Sequence, residues 1–424
     1  MTAVLKTFDE PSGSIFSSYT VLTKAMIGVG ILGLSSSLAG CGWYIGIGYT
    51  LGAPILMILA LHLTACLAYD FKKAEEEQGT RRPITFYNVA SRIHPLSAWF
   101  LEIAVLITVF SSAVAYLVVS GTMVADVIRP TCQPAEPDLR DPGCADWRAK
   151  VVIYSKVISV AALAYPCSLK SLVNTAVPNA LALCCLMYVV SMAFKMFSMD
   201  KITADERAET WKPESSSASI LAICTYLFAY CCTSNMFGVA NEMKGLTVRR
   251  LNMASIAAVG TAFILNTAAS FLPFLTKGRK TKAVFLSNAE GEDDGWLVAA
   301  KVACIIQVTI TYVLVIHPMR SSLISLVFRN GVNPAKEFTT RMGITAFCIL
   351  STLGVAIAAG EKLSVVFSYA GILGANSLCF VLPSLLFCLR FKRAEQGIMW
   401  NLSAALFVIS FLFYPAGFFG LATK

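Results

Sequence analysis

Long apolar segments, separated by short polar ones, run along almost the whole chain. Eleven of them approach the ~20 residues that a helix needs to cross a bilayer core of about 30 Å. They lie near 17–39, 43–69, 99–127, 151–166, 174–197, 219–240, 252–275, 297–317, 343–360, 363–389 and 398–419. Because a lipid-exposed backbone must satisfy its hydrogen bonds within each segment, we predict that all eleven are helices. The expected fold class is an all-α polytopic membrane protein.

The same pattern divides the chain into parts. We predict a cytoplasmic N-terminal tail, a transmembrane domain and a C-terminal tail, at 1–16, 17–419 and 420–424. Helices 1–5, helices 6–10 and helix 11 of that domain are expected at about 17–197, 219–389 and 398–419. Segments predicted to lie inside carry slightly more Lys and Arg than those predicted outside, which favours a cytoplasmic N-terminus.

Composition supports the membrane assignment and excludes another class of partner. The 424 residues are 56% hydrophobic and 14% charged, whereas soluble proteins carry about 25% charged residues. The net charge of +9 comes from short basic clusters between apolar segments, without the interleaved aromatic residues that nucleic-acid surfaces show. We therefore expect a lipid bilayer as partner, no nucleic acid and no obligate protein partner.

Two of the apolar segments are interrupted in a similar way. The first contains "TKAMIGVGILGL", in which two glycines flank Val29, and the sixth contains "YLFAYCCTSNMFGVANEMKG" with a polar break at 233–235. The two segments are five helices apart, which is the spacing of a transporter built on an inverted repeat. In such proteins half-helix N-termini face an anionic group and freed carbonyls face a cation.

Lysines occur inside four of the predicted spans, and Lys195 is the one that lies at the very end of its span. Lys24 lies one turn before Gly28, and a lysine at the centre of a membrane helix costs about 2.5–3.5 kcal/mol. An intramembrane charge suggests function, and the alternative is that the Lys24 side chain snorkels to the interface. Lys156 and Lys301 lie nearer to span ends, so we expect both of these to snorkel.

The cysteines and the remaining reactive residues suggest no catalytic chemistry. Cys132 and Cys144 are the two of fourteen cysteines that lie in a long loop. They are candidates for a disulfide if that loop faces an oxidising compartment, and two free thiols are equally consistent with the sequence. We find no Cys or His cluster with metal spacing and no nucleophile–base pair in the spans. We therefore expect no metal, no cofactor and no enzyme activity.

Several motifs, in order along the chain, resemble those of a known family. "GVGILGL" followed by "AGCGW", "NEMKG" after the sixth span, "TITYVLVIHPMRSS" and "YAGILGANSLCFVLPSLLF" are similar to the amino acid/auxin permease family. The resemblance is to its branches of sodium-coupled neutral and proton-coupled amino acid transporters, and it covers most of the chain. It implies about eleven helices, arranged as a LeuT-like inverted 5+5 repeat plus one extra helix. It also implies secondary active transport of amino acids by alternating access.

The resemblance assigns roles to individual residues. It implies a substrate site at the two interruptions, formed by Ile27, Gly28, Val29, Gly30, Tyr230, Thr233, Ser234 and Asn235. Thr309 and Thr311 match a polar pair in helix eight that helps to form the sodium site of the sodium-coupled branch. That branch typically has an asparagine at the position of Lys24, and the proton-coupled branch has a lysine. An ammonium group there would repel sodium and could donate three hydrogen bonds in its place, so we predict sodium-independent transport, with proton coupling favoured over uniport.

Alternatives remain for the mechanism, the substrate and the membrane. A sodium-coupled symporter would require Lys24 to point away from the site, and a sensor would bind an amino acid and signal without moving it. Neutral amino acids are favoured because no acidic group is predicted in the pocket, while cationic ones stay open. The membrane is either the plasma membrane or that of the vacuole or lysosome.

Overall fold

Helices form nearly all of the structure. The computed structural model describes residues 13–79, 83–128, 142–169, 176–199, 210–288, 295–328 and 337–423. Within these ranges it contains no β-strand, apart from one isolated bridge between Gly13 and Met243. The all-α class predicted from the apolar segments is confirmed.

The α-helices are numbered here in chain order. They are α1 (Ile15–Met26), α2 (Leu34–Glu77), α3 (Phe86–Ile93), α4 (Pro95–Ile128), α5 (Pro142–Ser168), α6 (Ala176–Met199), α7 (Ser216–Ala229), α8 (Asn235–Glu242), α9 (Val248–Lys277), α10 (Gly295–Val327), α11 (Glu337–Ala359), α12 (Leu363–Tyr369), α13 (Leu382–Arg390), α14 (Arg393–Gln396) and α15 (Ile398–Ala422). Two π-helical segments, Ala370–Ala375 and Ser377–Val381, connect α12 to α13. Short 3₁₀ turns occupy Val29–Gly33, Gly278–Lys280 and Phe285–Asn288.

Several helices begin at a side-chain cap that the sequence supplies. At each of these helix starts, a side-chain hydroxyl accepts a hydrogen bond at 3.0–3.2 Å from the backbone N–H of the residue three positions later. The four hydroxyls belong to Ser14, Thr85, Ser215 and Thr247. Such a cap contributes about 1 kcal/mol because it satisfies an N–H that has no partner within the helix. The starts of α1, α3, α7 and α9 are therefore fixed locally.

In the described part of the chain, nine helices are long and apolar enough to cross a membrane. The difference from the eleven predicted spans arises at the two interruptions. The first span is divided, and its second part continues into the 44-residue α2, while α1 has only 12 residues. The sixth span is divided into α7, with 14 residues, and α8, with 8. Eleven crossings therefore stay a prediction, whereas the polytopic all-α architecture is shown.

A sharp corner divides α2 where the sequence predicts the boundary between spans one and two. Gly42 has φ 71° and ψ 172° inside the otherwise helical stretch, a conformation that glycine adopts without a steric penalty. A side chain there would also collide with the carbonyl group of Lys212. The predicted gap at 40–42 thus coincides with a turn that requires glycine.

The two interrupted segments run antiparallel, and backbone hydrogen bonds join them at both ends. At one end, which we call the Gly13 bridge, the Gly13 N–H donates to Glu242 O at 2.8 Å and the Lys244 N–H donates to Gly13 O at 2.9 Å. At the other end, the Gly40 corner, Trp43 N–H donates to Thr210 O at 3.1 Å and Glu214 N–H donates to Gly40 O at 2.9 Å. Their interruptions consequently lie side by side in the middle.

The remaining helices surround this pair. Helix α9 packs along α1 and α2, and α4 packs along α10, α5 and the π-helical segments. The 3₁₀ turn Val29–Gly33 contacts α7, α9, α12 and α4. The first interruption is therefore enclosed on all of these sides by helices.

Candidate functional site

The first interruption begins directly after Met26. Ile27 leaves the helix with φ −89° and ψ 77°, and Gly28 is extended with φ −115° and ψ −159°. The chain then resumes as the tight turn Val29–Gly33, whose five residues are all buried. The Gly-Val-Gly sequence was predicted to break the helix here, and this break is confirmed.

The second interruption separates α7 from α8 over residues 230–234. Helix α7 ends at Ala229, and Tyr230 has φ −102° and ψ 2°. The next helix begins with two hydrogen bonds between residues three apart. They join the Asn235 N–H to Cys232 O at 3.0 Å and the Met236 N–H to Thr233 O at 3.1 Å. The polar stretch at 233–235 therefore coincides with the predicted break in the sixth span.

The two interruptions touch each other at Gly30. A methyl group at this position would lie 2.8 Å from the Cα atom of Ala229, so only glycine permits this approach of two backbones. At Gly28, by contrast, the nearest atom to such a methyl group is the Tyr116 hydroxyl oxygen at 3.8 Å. The two glycines of the motif thus differ: Gly30 is a packing contact, and Gly28 has room beside it.

Aromatic side chains border the first interruption. The Phe367 ring of α12 lies directly against Gly33, where a side chain would collide with it. The buried Tyr116 of α4 interacts through its hydroxyl with the backbone of Val29. The turn Val29–Gly33 is buried beside these rings, and a buried, low-dielectric setting strengthens polar interactions at the freed backbone groups.

Several buried polar atoms near the interruptions have no hydrogen-bond partner among the described residues. They are the Tyr230 hydroxyl, both side-chain amide atoms of Asn266 on α9, and the Thr23 hydroxyl in the last turn of α1. Tyr230 is 1% exposed and Asn266 is 2% exposed. The two side chains interact with each other without reaching the geometry of a hydrogen bond. Leaving such a group unpaired costs about 1–3 kcal/mol, and native proteins rarely accept that cost without a ligand or water.

Helix ends add partial charges to the same place. The C-termini of α1 and α7 and the N-terminus of α8 all lie at the interruptions. A helix C-terminus presents carbonyl groups and a partial negative charge, and an N-terminus presents N–H groups and a partial positive charge. The site therefore offers complementary poles to a molecule that carries both an ammonium and a carboxylate group.

Lys24 lies in the last turn of α1, and its side chain is half-buried. A cation in this position interacts favourably with the negative pole of the helix. Thr309 and Thr311 lie on α10, which packs mainly against α4 and α6, and the Thr311 hydroxyl donates to Gln307 O at 2.7 Å. Within the described ranges, no hydrogen bond joins Lys24 to either threonine, and a common site of these three residues stays a prediction.

The side chains predicted from the sixth span differ in their availability. The Thr233 hydroxyl is already committed to Leu378 O at 3.0 Å, while Ser234 is exposed and Asn235 is half-buried. Asn266 and Tyr116, which border the site, were missed by the sequence analysis. For Asn266, the sequence offers one signal, an Asn-Thr pair inside the apolar run "FILNTAASF". The candidate disulfide falls outside what the structure describes, since Cys132 lies in 129–141 and the Cys144 side chain is also not covered.

A second group of buried polar residues, which we call the Arg148 cluster, lies away from the interruptions. Arg148 donates to Asp126 at 2.7 Å and to both Glu361 oxygens at 2.9 and 3.0 Å, and Ser287 donates to Asp126 at 2.6 Å. The Lys156 ammonium donates to Ala356 O at 2.8 Å and Gly360 O at 2.7 Å. Hydrogen bonds and ion pairs hold this region together.

The expectation that Lys156 and Lys301 snorkel is wrong. Lys156 is 0% exposed and Lys301 is 2% exposed. Lys156 instead caps the carbonyl end of α11, where a cation is favoured by the helix dipole. Burial disfavours the charge of Lys301, and the nearby carboxylate of Asp126 offsets part of that cost.

Comparison with known proteins gives a consistent assignment. The family model for transmembrane amino acid transporter proteins matches residues 11–423. Vacuolar amino acid transporter 5 of Schizosaccharomyces pombe is 23% identical over 383 residues, which cover 90% of this chain and 86% of that protein. Vacuolar amino acid transporter 7 of Saccharomyces cerevisiae is 20% identical over 339 residues, covering 77% of this chain and 64% of that protein.

Proposed function

Because this chain belongs to the transmembrane amino acid transporter family, we propose that it moves amino acids across a membrane by alternating access and without sodium. The observation that carries the proposal is the contact between two interrupted helices at Gly30 and Ala229. Unpartnered polar groups and helix ends of both signs surround that contact. A LeuT-like inverted repeat with eleven crossings accounts for this arrangement.

The proposed binding mode follows from the charges of a zwitterion. N–H groups at the turn after Gly28 and at the start of α8 receive the carboxylate. Carbonyls at the ends of α1 and α7 receive the ammonium group, and Tyr230 and Asn266 contact the rest of the substrate. No carboxylate side chain of the described residues is required by this scheme, so neutral amino acids are the proposed substrates.

Lys24 is the proposed reason for sodium independence. Its ammonium group supplies a positive charge at the end of α1, where a bound sodium ion would otherwise neutralise the helix pole. The proposal that Thr309 and Thr311 share this site with Lys24 rests on the family resemblance alone. Proton coupling and uniport both remain compatible with this role, and the experiment below distinguishes them.

The test is uptake of radiolabelled amino acids into proteoliposomes, with sodium replaced by choline and with or without an inward proton gradient. We expect uptake to persist in choline, and an increase with the gradient would establish proton coupling. Lys24→Asn should either make uptake depend on sodium or abolish it. Lys150→Asn is the matched control, because Lys150 is exposed and paired with Asp146, and it should behave like the wild type.

Sodium-dependent uptake by the unmodified protein would contradict this proposal and favour the symporter alternative. Binding of an amino acid without any uptake would favour a sensor. The vacuolar transporters named above suggest an internal membrane, and the Lys and Arg distribution favours a cytoplasmic N-terminus. A fluorescent tag at the N-terminus, combined with protease protection of isolated organelles, tests both the membrane and the orientation.

A further inference from the structure

Two cysteines from different parts of the chain meet beside the second interruption. Cys231 lies between α7 and α8, and Cys379 lies in the π-helical segment Ser377–Val381. Their sulfur atoms are 3.2 Å apart. Among the described residues, this is the one cysteine pair whose sulfur atoms are in hydrogen-bonding contact, so the arrangement is specific to this site.

The surroundings hold the two thiols in place. Two residues after Cys231, the Thr233 hydroxyl donates to Leu378 O at 3.0 Å and contacts the Cys379 sulfur at 3.3 Å. Cys379 is fully buried, whereas Cys231 is half-buried. The pair therefore combines a half-buried thiol with a second, fully buried thiol that is fixed next to it.

We propose that Cys231 and Cys379 are a redox modification site that forms a reversible disulfide with hydrogen peroxide. A disulfide bond is about 2.0 Å long, so the sulfur atoms need to approach by only ~1.2 Å. The proposal depends on this contact and not on any transport activity.

The reaction has two steps that balance with one peroxide molecule. The Cys231 thiol first gives up its proton, its sulfur attacks one peroxide oxygen, and the O–O bond breaks to leave a sulfenic acid and a hydroxide, which takes up that proton as water. The Cys379 sulfur then attacks the Cys231 sulfur and displaces the second oxygen, which leaves as water with the Cys379 proton. Two thiols lose two electrons and two protons in total, and peroxide is reduced to two waters.

The disulfide would tie the second interruption to the π-helical segment by a covalent bond. In the reduced protein, the Thr233 hydrogen bond and the contact between the two thiols join these two segments. Such non-covalent contacts can break and reform. If the proposed function is correct, motion at this interruption is part of the transport cycle. Oxidation should then lower uptake, and a reducing agent should restore it.

The first test measures the bond itself and needs no uptake. The purified full-length protein is treated with hydrogen peroxide, free thiols are alkylated, and peptides are mapped by mass spectrometry. We expect a Cys231–Cys379 linked peptide and the loss of two alkylated thiols, both reversed by dithiothreitol. Cys231→Ser and Cys379→Ser should each abolish the link, whereas Cys232→Ser, a matched change in the same break, should leave it intact. A link from Cys232, or no link at all, would overturn the proposal.

The second test measures the consequence in proteoliposomes. We expect peroxide to lower uptake at least fivefold in the wild type and in Cys232→Ser, but not in Cys231→Ser or Cys379→Ser. Unchanged uptake in a sample with a mapped disulfide would overturn the tethering effect. If the reduced wild type shows no uptake at all, the proposed function fails, while the peptide map still decides whether the redox site exists.

Discussion

The helix interruptions and the Arg148 cluster both bury polar groups, and they do so in opposite ways. At the interruptions, Tyr230 and Asn266 are almost completely buried, yet their polar atoms lack well-formed partners among the described residues. In the cluster, the two Asp126 oxygens and the Arg148 guanidinium are all hydrogen-bonded. From this difference we expect the Arg148 cluster to stabilise the fold, and the proposed substrate site lies at the region whose polar atoms lack partners.

This distinction has an energetic basis. A completely paired buried ion pair is costly to break, because removing one partner leaves an uncompensated charge. An unpaired buried group already carries its desolvation cost in the free protein, and a ligand that pairs with it removes that cost. Substitutions in the cluster should therefore affect stability first, and substitutions at the interruptions should affect transport first.

The largest effect is expected from Gly30→Ala. The added methyl group would meet the Ala229 backbone at 2.8 Å, and two backbones in contact cannot separate without moving α7. Uptake should fall to background, measured in proteoliposomes at equal protein content. Gly260→Ala on α9 is the matched control, since no atom lies within 4 Å of the added methyl group, and it should retain more than half of the activity. Equal loss in both variants would contradict the role given to the contact at Gly30.

Arg148→Met should produce the next largest effect, on stability. It leaves Asp126 and Glu361 without their shared cation, and breaking a buried pair in this way costs about 3–5 kcal/mol. The thermal unfolding temperature in detergent, or the folded yield, should drop clearly. Lys150→Ala, which removes an exposed pair on the same helix, should change neither quantity. A stable Arg148→Met protein would show that the cluster is not structural.

Asn266→Leu should have a smaller effect, and in contrast to Arg148→Met it should lower uptake without lowering stability. Because the Asn266 amide has no well-formed partner, replacing it with an apolar group of similar size should leave the unfolding temperature unchanged or higher. Uptake should fall about tenfold, equivalent to about 1.4 kcal/mol of lost interaction with the substrate.

Asn376→Leu is the matched control, because Asn376 is equally buried but donates to Ser410 O at 2.8 Å. It should lower stability by about 1–3 kcal/mol, since Ser410 O loses its donor. If Asn266→Leu destabilises the protein as much as Asn376→Leu does, Asn266 is a structural residue. It would then no longer count as part of the candidate site.

Local sequence signals predicted the interruptions well. Gly28 and Gly30 weaken a helix within one turn, and the Thr-Ser-Asn stretch after Cys232 does the same in the sixth span. The gap between the first two spans likewise coincided with Gly42. Each of these breaks and turns is determined by residues that are close together in the sequence. The pattern of apolar and polar positions is therefore enough to predict them.

Contacts between distant segments were not visible in that pattern. Lys156 was expected to reach the interface, but its partners at Ala356 and Gly360 come from the end of α11, about two hundred residues later in the chain. Asn266 was missed because its importance lies in its proximity to Tyr230, which depends on how α9 packs. Eleven apolar segments predict how many helices to expect, but their pairing is determined by the tertiary structure.

The Gly13 bridge and the Gly40 corner have a mechanical consequence. Backbone hydrogen bonds couple α1 to α8 at one end of the pair and couple the continuation of the first span to α7 at the other. The four half-helices are therefore joined in two pairs, α1 with α8 and the continuation of the first span with α7. If the protein works by the proposed alternating access, we expect each pair to move as one unit about the interruptions that separate them.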